Sequence, residues 1–380
     1  MSRENSPGFA SSNNPCIDAL RACAAFLVVI YHMDQCGFHL VPKELAVLGD
    51  AGVPLFFTLS GFLIGRSVLG PATFELKRFA SARARRILPN YFVCVLFALL
   101  VVDGKTIAHA TPGFLAFDLA THATLMHGWF GATSTSILGP LWTLSHEWIF
   151  YILMAACGFF VRSKWGWILP LAMAVIAILS KSLIVAKTWQ PDAALSHPFC
   201  QWDQFAVGIV AAWISTKNFR YHWPLLVVGI AVVLFVFVER HEIAAKIAND
   251  SSSVAKSYAE KVIKATLSRR SHAIWYPLFF AGGTACILLA VSTGFQRLGR
   301  WMERTPLPVM GRISYSTYLF HMPVLLCLMR GLKSTPDNAV FANNTVASLV
   351  ALFGVYALSV FCYQRFEKPF LKRSSPGVAP

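Results

Sequence analysis

The chain has 380 residues, of which 56% are hydrophobic and only 13% charged, and its mean hydropathy is +0.56. Because soluble domains carry about a quarter charged residues, this composition excludes an ordinary soluble globular protein, and it equally excludes disordered, collagen-like, coiled-coil and disulfide-stapled chains. The net charge of +15 would suggest a nucleic-acid partner in a soluble protein. In a membrane protein, the positions of the positive charges first indicate how the chain is oriented in the membrane. We therefore expect a lipid bilayer and no nucleic acid as partner.

Long apolar runs divide the chain into ten predicted transmembrane helices, each near the 20 residues that cross a bilayer. These spans lie near 17–36, 48–68, 87–102, 141–161, 165–186, 199–216, 222–239, 273–293, 306–330 and 344–364. The fold class is therefore predicted as an all-α polytopic bundle. It forms one domain at 17–370, between cytoplasmic tails at 1–16 and 371–380. The first span lacks a cleavage signal and is expected to be retained.

The segment 113–130 is apolar but holds Asp118, His122 and His127. It is too short and polar to span, and we predict a re-entrant or interfacial helix there. This choice matters because an eleventh span would invert the orientation of everything after it.

Basic residues test the orientation. With the N-terminus inside, the short inner segments hold fifteen Lys and Arg residues and the short outer loops hold four, at positions 43, 105, 187 and 333. This is the positive-inside bias, and an even number of spans returns the C-terminus to the cytoplasm. The basic loop 240–272 falls outside in this scheme and is weak evidence against it, since long loops follow the rule less well.

The nine cysteines include no C-x-x-C pair and lie mostly in apolar runs, so they are interpreted as small apolar residues and no metal site is predicted.

The first span carries two ionisable residues, Arg21 and His32, on one predicted face. Eleven residues at about 100° and 1.5 Å each make close to three turns, or roughly 16 Å along the axis. An ionisable side chain inside a span is a functional candidate. The alternatives are an interfacial hydrogen-bonded histidine and an arginine that extends towards the headgroups.

The fourth span begins with Ser145, His146 and Glu147 in its first turns, at the membrane face where the first span ends. We therefore expect Glu147 and His32 to lie at similar depth and to pair, as a carboxylate supports a general-base histidine. The alternative for Glu147 and His146 is a capping group at a helix N-terminus.

Three further segments carry polar residues. Ser60 precedes Gly61 in the second span, where close helix packing is favoured over a nucleophile because no G-x-S-x-G motif occurs. A basic cluster follows the second span and could bind lipid headgroups or a phosphorylated small molecule; it comprises Lys77, Arg78, Arg83, Arg85 and Arg86. The ninth span offers a polar lining with Tyr315, Ser316 and His321.

Together these segments resemble the integral-membrane acyltransferase family 3, bacterial O-acyltransferases of surface polysaccharides and some secondary metabolites. The resemblance rests on five segments. They are IDALRACAAFLVVIYH with ten residues between Arg21 and His32, GVPLFFTLSGFLI, RARRILPNY, LWTLSHEWIFYIL with Glu147, and ISYSTYLFHMPV with His321. It covers residues 17 to about 370 and is closest to the stand-alone form, without an appended extracytoplasmic domain. The basic 240–272 loop matches no family feature.

The resemblance implies transfer of an acyl group, usually acetyl, from acetyl-coenzyme A or another acyl-CoA to a hydroxyl of a glycan or glycolipid at the bacterial inner membrane. No permanently bound cofactor is implied. It makes His32 the essential histidine, Arg21 its partner in the motif and Glu147 a supporting residue.

We add a geometric hypothesis: the basic cluster at 77–86 holds the nucleotide phosphates, while Ser60, Tyr315, Ser316 and His321 line the substrate channel. The competing interpretation is a transporter or flippase with an intramembrane Arg, His and Glu pathway.

Overall fold

The computed structural model describes residues 14–70, 73–102, 110–187, 197–217, 221–249, 270–334 and 344–372. These residues form α-helices joined by turns and short 3-10 or π turns. The helices of six or more residues are α1 Pro15–Gln35, α2 Gly52–Leu69, α3 Leu76–Phe97, α4 Pro112–Ala123, α5 Trp142–Val161, α6 Ile168–Lys187, α7 Trp202–Ser215, α8 His222–Asn249, α9 Arg270–Thr293, α10 Gln296–Met302, α11 Leu307–Arg312, α12 Ser314–Ser334 and α13 Asn344–Cys362. Most of the two predicted tails and of the basic 240–272 loop lies outside the described residues.

Seven stretches within the described residues are long and apolar enough to cross a membrane. They lie at α1, α2, α3, α5, α8, α9 and α13, and each corresponds to one of the ten predicted spans. The total of ten and the location of the termini stay predictions.

The other three predicted spans form helices that differ from expectation. The 165–186 segment gives α6, whose apolar part is Ile168–Ile184. The 199–216 segment gives α7 with only 14 residues, because a 3-10 turn at Pro198–Gln201 replaces its start. The 306–330 segment is split at Ile313, which has a non-helical backbone (φ −88°, ψ 0°), into α11 and α12.

The third span begins earlier than predicted. Its helix α3 starts at Leu76 and not near residue 87, so the whole basic cluster is helical. Lys, Arg and Ala are good helix formers, and their charge does not end a helix. The predicted start near residue 87 was based only on where the charged residues end.

Exposed apolar stripes mark the surface that faces lipid. On α6, Leu171, Val175, Leu179 and Leu183 recur every four residues and are each about half exposed. This spacing places them on one face, where a soluble protein would carry charge. Together with the apolar length of the helices, this makes the chain an all-α, multi-pass membrane protein.

Helices α2 and α7 pack closely through glycines, as the sequence predicted for Gly61. A Cβ atom on Gly61 would overlap the carbonyl oxygen of Phe205, and one on Gly208 would overlap that of Thr58. Small residues let helix backbones approach in a membrane. The contact fixes the register of α2, and so the position of Ser60 beside Gly61.

A buried ion pair joins α6 to α7 and was not predicted. Lys181 Nζ lies 2.5 Å from Asp203 Oδ2, and both side chains are almost fully buried. A charge inside a membrane protein needs a partner of opposite sign, which these two residues supply to each other.

The segment predicted as interfacial contains α4, whose 12 residues make about 18 Å of helix. That is shorter than the roughly 30 Å of hydrocarbon. Its buried His122 Nδ1 lies 3.1 Å from Asp118 Oδ1, and the His122 ring stacks on that of His127 at 4.1 Å. This cluster fastens α4 to the bundle, because His127 Nε2 donates to the Leu141 carbonyl just before α5.

Candidate active site

A cavity of about 380 Å³ lies among α1, α2, α3, α5 and α12. Its walls are mainly apolar, with Phe56 and Phe57 from α2 and Tyr315 and Tyr318 from α12. A cavity of this size, with few polar groups on an apolar wall, is typical of a small-molecule site.

Four arginines and one carboxylate line this cavity. The arginines are Arg21, Arg66, Arg83 and Arg86, and the carboxylate is Glu147. Arg21 is also held by Asp18, with 3.7 Å between Nη1 and Oδ1. The excess of positive charge makes the cavity suited to a polyanionic ligand.

Arg83 is the most distinctive of the four because its Nε atom is buried without a hydrogen-bond partner. Its guanidinium lies over the rings of Phe79 and Tyr151, at 5.7 and 6.0 Å from their centroids. A buried donor without a partner costs free energy.

Glu147 is fixed by two donors on its Oε1 atom. Ser60 Oγ donates from 2.6 Å across the gap between α2 and α5, and Tyr151 Oη donates from 2.5 Å one turn along α5. Ser60 therefore donates its hydroxyl proton to Glu147. Tyr151 was missed, although its spacing of four residues from Glu147 places both on one face.

His32 lies on the same continuous helix as Arg21, towards the opposite end, and pairs with His321 of α12. The His32 Nδ1 atom lies 3.2 Å from His321 Nε2 and 2.9 Å from the Val28 carbonyl oxygen. His321 Nδ1 in turn lies 2.6 Å from the carbonyl oxygen of Tyr318, a residue of the cavity wall. A chain of contacts thus connects the cavity to His32.

The carbonyl oxygens assign the tautomers of this pair. A carbonyl can only accept, so His321 Nδ1 and His32 Nδ1 each carry a proton. His321 Nε2 is then an acceptor in the neutral ring, and His32 Nδ1–H is shared between it and Val28. The lone pair of His32 lies on Nε2, the nitrogen that is left to take a proton.

The predicted pairing of His32 with Glu147 is wrong. Glu147 accepts from Ser60 and Tyr151, whereas the side-chain partner of His32 is His321. The prediction was based on the similar membrane depth of the two residues on their helices. Equal depth does not determine whether the helix faces that carry them are in contact.

The predicted basic cluster separates into two groups. Arg83 and Arg86 line the cavity. Arg85 bonds its own helix, with Nε donating to the Ser81 carbonyl at 3.1 Å, and Lys77 and Arg78 are exposed. Arg78 lines a neighbouring pocket of about 440 Å³ with Glu75, and this pocket shares Ser67 and Arg83 with the cavity.

Of the four residues predicted to line a channel, Ser60 and Tyr315 line this cavity. Ser316 lies elsewhere, in a buried network in which it accepts from Asn90 Nδ2 at 2.8 Å and donates to Glu367 Oε2 at 2.7 Å. His321 does not line the cavity, but it contacts the carbonyl oxygen of Tyr318, which does.

Arg66 was missed by the sequence reasoning. It lies in the last turn of α2, with its guanidinium 5.7 Å from the Phe62 ring centroid. The signal was present, since an arginine at the end of an apolar span is itself an ionisable residue in the membrane. Among the described residues no three His, Cys, Asp or Glu side chains are grouped to hold a metal ion.

Comparison with known proteins identifies the family of the chain. The chain matches the model of the acyltransferase domain of the acyltransferase 3 family over residues 14–364. No solved structure gives a significant match.

Three curated relatives illustrate the similarity. A putative peptidoglycan O-acetyltransferase, YrhL of Bacillus subtilis, is 25% identical over 93% of this chain and 54% of its own length. A putative membrane-bound transacylase, BcsY of Komagataeibacter xylinus, is 28% identical over 81% of this chain and 72% of its own. An O-acetyl transferase of Shigella phage Sf6 is 25% identical over 96% and 98%.

The chain thus spans about half the length of the Bacillus relative and nearly all of the phage one. The family match covers α1 to α13 and includes every residue of the cavity and of the histidine pair. The chain therefore belongs to the acyltransferase 3 family and contains its acyltransferase domain on membrane-spanning helices.

Proposed function

We propose that this acyltransferase moves an acyl group, with acetyl as first choice, from acyl-coenzyme A to a hydroxyl of a glycan or lipid-linked sugar at the bacterial inner membrane. The observation that carries the proposal is the cavity in which four arginines face one carboxylate. Coenzyme A presents a diphosphate and a further phosphate, and arginine binds phosphate by paired charged hydrogen bonds. The relatives' names, O-acetyltransferase and transacylase, support the acyl transfer.

The donor would bind with its phosphates against Arg66, Arg83 and Arg86. Positive charge concentrates at the end of the bundle where α2 ends and α3 begins, which the positive-inside rule assigns to the cytoplasm. The arm that carries the thioester would then run along α1 from Arg21 and past Tyr318 towards His32.

His32 would act as the general base. Its Nε2 lone pair accepts the proton of the acceptor hydroxyl as that oxygen attacks the thioester carbonyl. The tetrahedral intermediate collapses with cleavage of the carbon–sulfur bond, and the thiolate leaves and takes the proton back from His32. The ester and free coenzyme A are the products.

His321 and Val28 would stabilise the imidazolium that forms in this step. The shared Nδ1–H of His32 points at two acceptors, so the positive charge is met by a carbonyl oxygen and a ring lone pair. Glu147 would serve the donor side, where it stays among the arginines and keeps their side chains apart and oriented.

The test is release of coenzyme A by the full-length protein in lipid nanodiscs, with acetyl-CoA as donor and an N-acetylhexosamine oligosaccharide or a surface polysaccharide as acceptor. We expect release that depends on the acceptor and falls by about 10²- to 10⁴-fold in His32→Ala. Near wild-type rates in folded His32→Ala and Glu147→Ala would overturn the site assignment. Acceptor-independent transport of solute by proteoliposomes, without ester formation, would support a transporter instead.

A further inference from the structure

A second concave site, unrelated to the arginine cavity, opens on the outside of the bundle. It has a volume of about 490 Å³ and lies among α6, α7 and α9, with the ends of α2 and α5 closing one side. Every side chain that lines it is hydrophobic. Its size falls within the roughly 300–1,000 Å³ of ligand sites, but its chemistry suits only an apolar ligand.

The groove faces the bilayer. Trp167, Leu171, Val210 and Trp213 line it and are between 41% and 52% exposed, whereas Ala206 on its floor is buried. A groove with an exposed rim and a buried floor is open along its length. In a membrane the neighbouring molecule is a lipid.

Two features of the chain create the groove. Small residues remove side-chain volume where the helices meet, among them Ala174 on α6 and Ala285 on α9. Helix α7 also has only 14 residues, about 21 Å, which is less than the roughly 30 Å of hydrocarbon. A short helix leaves apolar space at its end that the bilayer must fill.

Positive charge lies at one end of the groove. Lys217, two residues after α7, is exposed, and its Nζ lies 3.8 Å from the centroid of the Trp213 ring that lines the groove. Arg162, next to the lining residue Val161, donates from Nη1 to the Val68 carbonyl at 2.7 Å. Lysine and tryptophan together are typical of the headgroup level of a membrane.

We propose that this groove binds one anionic glycerophospholipid, with an acyl chain between α6, α7 and α9 and its phosphate against Lys217. Apolar burial would provide most of the affinity. The lysine would provide preference for a negatively charged headgroup, because a basic residue at the membrane surface attracts anionic lipid. The proposal is independent of the acyl-transfer reaction.

The chain supplies matched control residues. Lys164 is also an exposed lysine over a tryptophan ring, at 5.5 Å from the Trp165 centroid, but neither residue lines the groove. Val175 follows Ala174 on α6 and points to lipid. Lys217→Gln and Ala174→Phe can therefore be compared with Lys164→Gln and Val175→Phe.

The experiment is native mass spectrometry of the full-length protein released from detergent, titrated with phosphatidylglycerol and with phosphatidylethanolamine of the same acyl chains. We expect one tightly held phosphatidylglycerol, a loss of affinity of about five-fold in Lys217→Gln and no change in Lys164→Gln. Ala174→Phe should remove the tight binding of both lipids, and Val175→Phe should retain it.

Four results would overturn the proposal. Equal binding of the two lipids in the wild type would remove the anionic preference. Equal effects of Lys217→Gln and Lys164→Gln would remove the assigned headgroup position. Tight phosphatidylglycerol binding in Ala174→Phe would place the lipid elsewhere, and displacement of the lipid by a polyprenyl-phosphate sugar would instead assign the groove to an acceptor.

Discussion

His321 Nε2 lies 3.2 Å from His32 Nδ1, and each ring is oriented by a backbone carbonyl of its own helix. The pair joins α1 to α12 and fixes the His32 tautomer that leaves Nε2 without a proton. His321 is therefore a positioning residue in the proposed mechanism, one that acts through His32.

We expect His321→Ala to lower kcat by about 10- to 100-fold, less than the roughly 10²- to 10⁴-fold loss expected for His32→Ala. KM for acetyl-CoA should stay near the wild-type value, because His321 does not line the arginine cavity. His321→Gln, which retains an oxygen that can accept from His32, should restore part of the rate. A change in KM alone, or no rescue by glutamine, would contradict the positioning role.

The arginines of α3 predict a pattern within a single helix. Arg83→Gln and Arg86→Gln should each raise KM for acetyl-CoA by about ten-fold, since a hydrogen bond to a charged group contributes about 1.5–3 kcal/mol. Arg85→Gln is the matched control, because its guanidinium bonds Ser81 outside the cavity. Steady-state kinetics with acetyl-CoA and with its 3′-dephospho analogue would show which arginine binds the 3′-phosphate. Equal effects of all three substitutions on KM would refute the assignment.

The buried ion pair between Lys181 and Asp203 predicts a stability effect. Asp203→Leu leaves the lysine charge without its partner and should cost about 3–5 kcal/mol. Lys181→Met combined with Asp203→Leu removes both charges and should recover most of that loss. The measurement is the thermal unfolding midpoint of detergent-solubilised protein, and an additive loss in the double variant would show that the two charges are not coupled.

His122, in α4, and His127, which follows α4, predict that the stability of the fold depends on pH. Burial, together with the neighbouring His122, lowers the pKa of His127 to about 3, and burial also lowers the pKa of His122. In the unfolded chain each of these histidines binds a proton near pH 6.5, whereas in the folded state it stays neutral at that pH. The contribution of both histidines to stability is complete above that pH and is lost as the pH falls, for His127 towards pH 3.

We therefore expect the free energy of unfolding to fall between pH 7.5 and pH 5, with a contribution of up to about 2 kcal/mol from His127. His127→Phe should reduce this pH dependence, whereas His241→Gln, at an exposed histidine, should leave it unchanged. Equal pH dependence in wild type and His127→Phe would contradict the prediction.

The main features of the fold were predictable because lipid imposes strong constraints. Within the part of the chain that the structure describes, seven of the ten apolar runs form helices long enough to span. The errors have local causes: the break at Ile313 and the 3-10 turn at Pro198–Gln201 depend on packing, which hydropathy does not report.

The candidate site was predictable in part. Arg21, Glu147 and His32 were identified because charge and imidazole are costly in hydrocarbon. Helical periodicity could also have separated Arg83 and Arg86 from Arg85 if α3 had been extended to Leu76, since residues three apart share a face. The contact between His32 and His321 depends on how α1 meets α12, and no local pattern encodes it.

The uninterrupted α1 also has a consequence for donor selection. Its rigid backbone holds Arg21 and His32 about 16 Å apart and on one face. In the proposed mechanism this spacing selects donors by length. A donor anchored near Arg21 reaches His32 only if the arm that carries its thioester has a matching length. Inserting one alanine between Ala24 and Ala25 would turn His32 by about 100° relative to Arg21. It should abolish transfer although the chain still contains both residues.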